Sequence, residues 1–223
     1  MNVPYPSAVL FDFDGVVADS ARAHHAAWTA AYAAIFDAPM GPFPKDVLAG
    51  KAPILIARHL AELGGDAARA QQLHDDKLDR LLRGEPPVAL AGVVALMQEL
   101  KERRIPFGIA SNAPGPFVRW SAEQLQLPVG VVLGVEDFSR PKPAPDPYWE
   151  LASRLGIAPE AYATTWVLED SRTGMRAAAA TGMFAIGITT QYAEAELQAE
   201  GARIAYATPE GALRRLQAFP LSV

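Results

Sequence analysis

The sequence predicts an α/β fold: a parallel sheet with helices on both faces, interrupted after its first strand by a helical insertion. Three observations predict it. From about residue 91 onward, short apolar runs alternate with helical patterns, as strands buried on both faces of a parallel sheet do. Residues 17–86 break that rhythm and read as helices. Acidic, hydroxyl and amide residues recur where the apolar runs end, the sheet edge at which open α/β sheets bind ligands.

Taken in order, residues 7–12 are a short apolar run and hence a buried strand. Asp19 to about Phe36 is Ala-rich with Trp28 and Tyr32, which predicts a helix capped by Asp19 or Ser20. "DAPMGPFP" (37–44) is a loop. A helix follows at about 53–63, stopped by Gly64-Gly65, and another runs from Asp66 to about Arg83. "GEPPVA" (84–89) is a linker. Helices are then expected at 91–103, 115–125, 146–155 and Arg172–Ala180, with strands at 105–111, 130–135, 164–169 and 184–189 between and after them. The C-terminal part adds helical segments and a short strand at 203–206. The expected division is a core of 1–16 and 87–223 with a helical cap of 17–86.

Bulk properties narrow the function. A chain of 223 residues, half hydrophobic and 20% charged, is globular. Its net charge of −5 and the lack of a basic run argue against a nucleic-acid partner. A small phosphorylated ligand stays compatible, because a local cationic site needs no global positive charge. With no cysteine, a disulfide framework, a thiolate nucleophile and a cysteine zinc site are excluded. "MNVPYPSAVL" has neither a basic start nor an apolar core, so no secretory leader is expected. The longest uncharged run, 177–193, is broken by Thr and Gly and reads as a helix end, a turn and a strand. No membrane partner, a cytoplasmic location and a monomer are expected, with a dimer as the alternative.

The strand ends carry the chemistry. The first ends in Asp12-Phe13-Asp14-Gly15, the second in Ser111-Asn112, and the fourth in Glu169-Asp170-Ser171; Lys142 lies between prolines after the third. Asp12, Asp14, Glu169 and Asp170 are hard oxygen ligands suited to Mg²⁺. Lys142 is a point charge for a phosphate or a carboxylate. Ser111 and backbone N–H groups near Gly15 can donate to phosphate oxygens. A carboxylate beside Mg²⁺ and a lysine can attack phosphorus, because the cations offset the repulsion between two anions.

These residues bring a family into view. "DFDGVVADS", Ser111, Lys142 in "RPKPAPDPYW", and Glu169-Asp170 in "LEDSRTGMRAA" follow one another as four motifs. In them the chain resembles the haloacid dehalogenase superfamily, in the capped branch of the β-phosphoglucomutase and phosphoglycolate phosphatase-like enzymes. The resemblance spans nearly the whole length. It implies a Rossmann-like core with an inserted helical cap and a Mg²⁺-dependent phosphatase acting on a small phosphorylated metabolite, such as a sugar phosphate. In it Asp12 is the nucleophile that forms an aspartyl-phosphate, and Asp14 is the general acid/base. Mg²⁺ sits on Asp12, the Asp14 carbonyl and Asp170, with Glu169 ligating directly or through water. Lys142 ties Asp12 to the phosphoryl group, Ser111 holds one of its oxygens, and Gly15 and Asn112 belong to the substrate site.

On the cap, the resemblance gives His24 a role assisting Asp14, against the alternative of a packed interface histidine. His25 is expected at the surface. Lys51 is a candidate substrate contact, against the alternative of a solvated lysine. Specificity is expected in the cap loop near 43–56. The competing activity is a hexose-phosphate mutase like β-phosphoglucomutase, whose cap loop carries an arginine where this chain has about Pro53. A dehalogenase does not need Asp14, and a phosphonate hydrolase lacks the second aspartate; a binding module would be expected to have lost one of the four motif residues.

Overall fold

The computed structural model describes residues 2–43 and 51–220. The chain enters as β1 (Val9–Phe11), turns, and forms β2 (Ala18–Asp19), α1 (Ala21–Phe36), α2 (Pro53–Leu63), α3 (Ala70–Arg83) and β3 (Val88–Ala89). It continues through α4 (Val93–Glu102), β4 (Phe107–Ala110), α5 (Gly115–Gln124), β5 (Val132–Leu133) and α6 (Asp146–Arg154). The last elements are β6 (Trp166–Glu169), α7 (Arg172–Ala180), β7 (Phe184–Ile188), α8 (Glu194–Ala199), β8 (Ile204–Tyr206) and α9 (Pro209–Gln217).

Six strands form one sheet in the order β5-β4-β1-β6-β7-β8. All its pairings are parallel. The chain winds from β1 to one edge and then crosses back to β6, so the sheet is Rossmann-like, with its reversal between β1 and β6. That reversal opens a crevice at the carboxyl ends of these two strands. Asp12 follows β1 and Asp170 follows β6, so the winding order brings both acids to the crevice.

Period-two alternation sorts the apolar residues. Val9, Phe11, Ile109, Leu168 and Ile186 face one layer, filled by Leu96 and Leu100 of α4 and Leu216 of α9. Leu10, Ala110, Val167 and Ala185 face the other, filled by Tyr148 and Leu151 of α6 and Met175 of α7. A third cluster joins Trp28, Ala31 and Tyr32 of α1 to Ala57 and Leu60 of α2 and Leu73 of α3. β2 and β3 pair antiparallel through Ala18–Ala89 and Asp19–Val88, which ties together the two chain segments leading into and out of these helices. Among the described residues no helix is long and apolar enough to cross a membrane.

Three expectations need correction. The strand expected at 130–135 keeps only Val132–Leu133; the Gly134 N–H instead donates to Asp137 Oδ2 at 2.9 Å, turning the chain into a short 3₁₀ turn. The helix expected from Asp66 starts as a 3₁₀ turn over Ala67–Arg69, because the Asp66 side chain accepts from the Ala68 N–H, and α3 begins at Ala70. Ser20 occupies the N-cap position of α1 without capping it. Its hydroxyl donates to Asp14 instead.

Candidate active site

β1 delivers Asp12 to the crevice with its N–H donating to the Leu168 carbonyl at 3.0 Å. The chain then folds back sharply, with the N–H groups of Val16, Val17 and Ala18 all directed at the Phe13 carbonyl. Gly15 permits this turn. Its φ is +79°, and a Cβ there would overlap the Asp170 carboxylate. Phe13 between the two acids is buried and packs edge-on against Phe117 of α5 at 6.0 Å. The two aspartates thereby diverge into different surroundings.

Asp12 joins Glu169 and Asp170 in a buried cluster whose carboxylate oxygens come within 4.8 Å of one another. Lys142 neutralises part of it. Its Nζ donates to Asp12 Oδ1 at 2.5 Å, to Glu169 Oε1 at 2.6 Å and to the Tyr148 hydroxyl at 2.8 Å. Tyr148 donates in turn to Glu169 Oε1 at 2.6 Å. The other Glu169 oxygen receives the Asp170 N–H, the Ser171 N–H and the Ser171 hydroxyl. Both oxygens of Glu169 are therefore engaged. A Cβ on Gly174 would overlap this carboxylate, so a glycine in the first turn of α7 makes its position tenable.

Asp170 Oδ2 accepts from Gln191 Nε2 at 2.8 Å and lies 2.8 Å from the Thr190 hydroxyl, which is equally close to the Gly15 carbonyl. Asp170 Oδ1 is buried with no hydrogen-bond partner among the described residues. A buried carboxylate oxygen left bare beside two further carboxylates fits a hard divalent cation. Burial and the charges of Asp12 and Glu169 push the Asp170 pKa well above the usual carboxylate value, against the pull of Thr190 and Gln191. Burial, with Glu169 and Asp14 nearby, pushes Asp12 up to about 8 although Lys142 opposes it. Lys142 is itself held above its ordinary value, since Asp12 and Glu169 outweigh its burial. The cluster is short of positive charge.

Asp14 turns the other way. Its Oδ1 accepts from Ser20 and lies 3.1 Å from His24 Nε2. Ser111 Oγ stands 3.4 Å from its Oδ2. His24 Nδ1 lies 2.9 Å from Nζ of Lys77 on α3. Lysine donates, so Nδ1 accepts, and this tautomer leaves an Nε2–H pointing at Asp14. Lys77 is almost fully buried, with its ammonium 5.1 Å above the Trp28 ring. Burial brings it down to about 7, against the pull of Asp14. Burial also holds His24 below its ordinary value, helped by Lys77. Burial alone would raise Asp14, but His24, Ser20 and Lys77 together bring it down to about 2.

The remaining candidates are distributed around these two clusters. The Asn112 side chain clamps the Lys142 backbone, donating to its carbonyl at 3.1 Å and accepting from its N–H at 2.9 Å. Ser111 Oγ accepts from the Ala113 N–H at 3.0 Å, while α5 starts later, behind Pro114. Ser171 caps α7, its hydroxyl accepting from the Gly174 N–H at 3.0 Å. Lys51 is exposed on the wall of a cavity of about 610 Å³ that also reaches Asp12, Asp14 and Lys142. His25, expected at the surface, is exposed; it lines the same cavity and meets Phe43 edge-on at 6.0 Å. Of the cap loop near 43–56, residues 44–50 lie outside the described residues. Lys77, Tyr148, Thr190 and Gln191 were not singled out in the sequence. The rule that polar residues gather at strand ends would have found Thr190 and Gln191, which follow β7.

Known proteins resemble this chain in sequence and in fold. Validoxylamine A 7′-phosphate phosphatase of Streptomyces hygroscopicus subsp. limoneus is 28% identical over 198 residues, covering 86% of this chain and 89% of that protein. Hexitol phosphatase A of Escherichia coli (strain K12) is 29% identical over 189 residues, covering 80% and 81%. The crystal structure of β-phosphoglucomutase from Clostridium difficile has the same fold, with a TM-score of 0.78 at 18% identity and 96% of each chain covered. The model of haloacid dehalogenase-like hydrolases matches residues 6–182, through both acid motifs and Lys142, and the chain belongs to that family.

Proposed function

We propose that this hydrolase is a phosphatase that cleaves a small phosphomonoester, a sugar phosphate or similar metabolite, with Asp12 as nucleophile. The observation that carries the reading is the divergence of the two aspartates. Asp12 is held by Lys142 inside the acid cluster, and Asp14 is held by Ser20 and His24 outside it. One carboxylate is placed to attack and the other to move protons. The similarity to two phosphatases points to the same chemistry.

In this reading Asp12, Asp170 and the Asp14 carbonyl hold Mg²⁺, which when bound supplies charge to the phosphoryl oxygens and offsets the repulsion within the cluster. Glu169, with both oxygens engaged, acts as the anchor that fixes Lys142. Lys142 fixes Asp12 through Oδ1 and lowers the cost of bringing an anionic phosphate to an anionic nucleophile. Asp12 attacks phosphorus, the ester oxygen leaves with a proton from Asp14, and an aspartyl-phosphate remains. Water then attacks that phosphorus, Asp14 takes its proton, and phosphate leaves Asp12 as it began. Asp14 is ionised in the free protein, ready to accept a proton; the incoming phosphate dianion beside it opposes that ionisation and favours the acid form for the first half. Ser111 and the Gly15 turn face the phosphoryl group, and Asn112 positions Lys142.

Residues 17–86 serve as the cap, hinged at the β2–β3 pair, and closing it excludes water from the site. Hydrolysis is favoured over the mutase alternative because Pro53, near the position of the mutase arginine, lines the cavity without offering it any charge. Release of inorganic phosphate from a panel of phosphorylated metabolites tests the reading. Asp12→Asn should lower that release by at least about 10³-fold while circular dichroism stays unchanged. A folded Asp12→Asn protein that keeps a sizeable fraction of the turnover removes Asp12 as nucleophile.

A further inference from the structure

The oxygens of the acid cluster are not equally free. Lys142 holds Oδ1 of Asp12, and Glu169 has both oxygens engaged. Asp170 has one oxygen bare and the other taken. Its Oδ1 has no hydrogen-bond partner among the described residues, while its Oδ2 accepts from Gln191 Nε2 at 2.8 Å and lies 2.8 Å from the Thr190 hydroxyl. Oδ2 is also seated against Gly15, where a Cβ would stand 1.8 Å from it. Thr190 and Gln191 come from the corner after β7 and are exposed, although the carboxylate they reach is buried. An exposed glutamine has water as an alternative partner; this one is turned onto a buried charge. Thr190 adds a second tie, because its hydroxyl is as close to the Gly15 carbonyl, at 2.8 Å, as to Asp170. A hydroxyl carries one proton and serves one acceptor at a time, whereas the Gln191 amide serves Oδ2 in either case.

Which oxygens are free bears on which cation the cluster prefers. Mg²⁺ demands a small, near-ideal octahedral shell, which the narrow bite of a two-oxygen carboxylate does not fit. Ca²⁺ is larger, takes more oxygens and accepts both oxygens of one carboxylate. We propose that Gln191, supported by Thr190, is a positioning residue that occupies Oδ2 of Asp170, so that this acid offers a divalent cation one oxygen and not two, and that the corner after β7 thereby biases the site toward Mg²⁺ and against Ca²⁺. The inference rests on the reading above that Asp12 and Asp170 hold the cation, and it adds which residues outside the four motifs select it.

Thermal unfolding of the whole chain, followed across a range of MgCl₂ or CaCl₂ concentrations without substrate, gives the Kd of each cation by linkage. Gln191→Leu removes the donor and keeps most of the side-chain volume. It should raise the Kd for Mg²⁺ by about tenfold, the lower end of what losing a partner of a metal-holding side chain costs. The Kd for Ca²⁺ should change by less than about threefold, because the freed Oδ2 becomes a second oxygen that only the larger ion can use. The ratio of the Ca²⁺ Kd to the Mg²⁺ Kd should therefore fall. Thr190→Val should move that ratio the same way by less, and serves if Gln191→Leu does not fold. Thr190→Ser, which keeps the hydroxyl, should match the wild type. If the wild type binds neither cation, the metal reading falls and this one with it. If the wild type binds Mg²⁺ but Gln191→Leu and Thr190→Val weaken both cations equally, or leave both unchanged, the metal reading stands and only the role of the β7 corner is overturned.

Discussion

Nζ of Lys77 lies 2.9 Å from Nδ1 of His24, whose other ring nitrogen lies 3.1 Å from Asp14 Oδ1. Lys77 sits on α3, His24 on α1 and Asp14 at the end of β1, so one hydrogen-bonded chain runs from the helical unit into the core. Holding a lysine in a nearly sealed site is costly, and that cost is measurable. In the folded protein Lys77 loses its proton at about 7, against 10.5 for an ordinary lysine. Between those values the unfolded chain binds one more proton, so stability rises with pH across that window. The urea midpoint should climb between about pH 7 and 10.5, and Lys77→Met should lack that part of the climb. The same variant leaves Nδ1 without its donor and frees the tautomer. Its kcat should therefore fall, though by less than the roughly 10²–10⁴-fold typical of losing an acid/base outright. Matching pH slopes in the two proteins would show that the amine is not desolvated.

Asp14→Asn should cost about 10²–10⁴-fold in kcat with an alkyl phosphate, whose alkoxide must be protonated as it leaves. With p-nitrophenyl phosphate the loss should be smaller, since p-nitrophenolate leaves without help. Steady-state kinetics on both substrates decide this. Equal losses would take away the leaving-group role of Asp14 and keep only its role toward water.

What could be read from the sequence, and what could not, follows the physics of each residue. Asp12, Asp14, Glu169 and Asp170 were visible because strands buried on both faces leave plain apolar runs, and polar residues at their ends stand out; Lys142, in a loop well past β5, stood out only through its flanking prolines and the family resemblance. Lys77 was not visible. It lies in "QQLHDDKLDR", where charges on every side predict a solvated helix face, and only the packing of α3 against Trp28 buries it. Tyr148 reads as one more aromatic in a core helix, and its hydroxyl gains meaning only once α6 packs on β4 and β1 and brings it to Glu169. The β2–β3 pair has two residues on each strand, too short to leave a periodic signal. Ser20 carried a sound N-cap signal, but a nearby carboxylate competed successfully for its hydroxyl.

Removing the metal should reveal the repulsion within the acid cluster. In EDTA, Asp170→Asn should raise Tm, because one of three crowded buried carboxylates is replaced by a neutral group that can still accept from Thr190 and Gln191. With Mg²⁺ at about 100 times its Kd, the wild type should gain about 2.7 kcal/mol and the variant little. Differential scanning calorimetry with and without Mg²⁺ measures both effects, and phosphate release should vanish with EDTA and return with Mg²⁺. An equal Mg²⁺ increment in both proteins would place the cation elsewhere.

Tyr148→Phe tests the support beneath Lys142. The tyrosine hydroxyl takes one Nζ proton of Lys142 and gives its own proton to Glu169, so the three groups form a closed triangle. Phenylalanine keeps the ring and the packing in the apolar layer but opens the triangle. Glu169 loses a donor at a buried charge, which costs about 1.5–3 kcal/mol of stability. Lys142 gains a free N–H and is less firmly directed at Asp12, so the carboxylate it aims should attack less often. Urea denaturation should show the stability loss. Kinetics should show kcat reduced with KM nearly unchanged, because the hydroxyl lies beneath Lys142 and not in the substrate's path. A variant with reduced stability and unaltered kcat would mean that Tyr148 only packs, and that Asp12 and Glu169 suffice to aim the lysine.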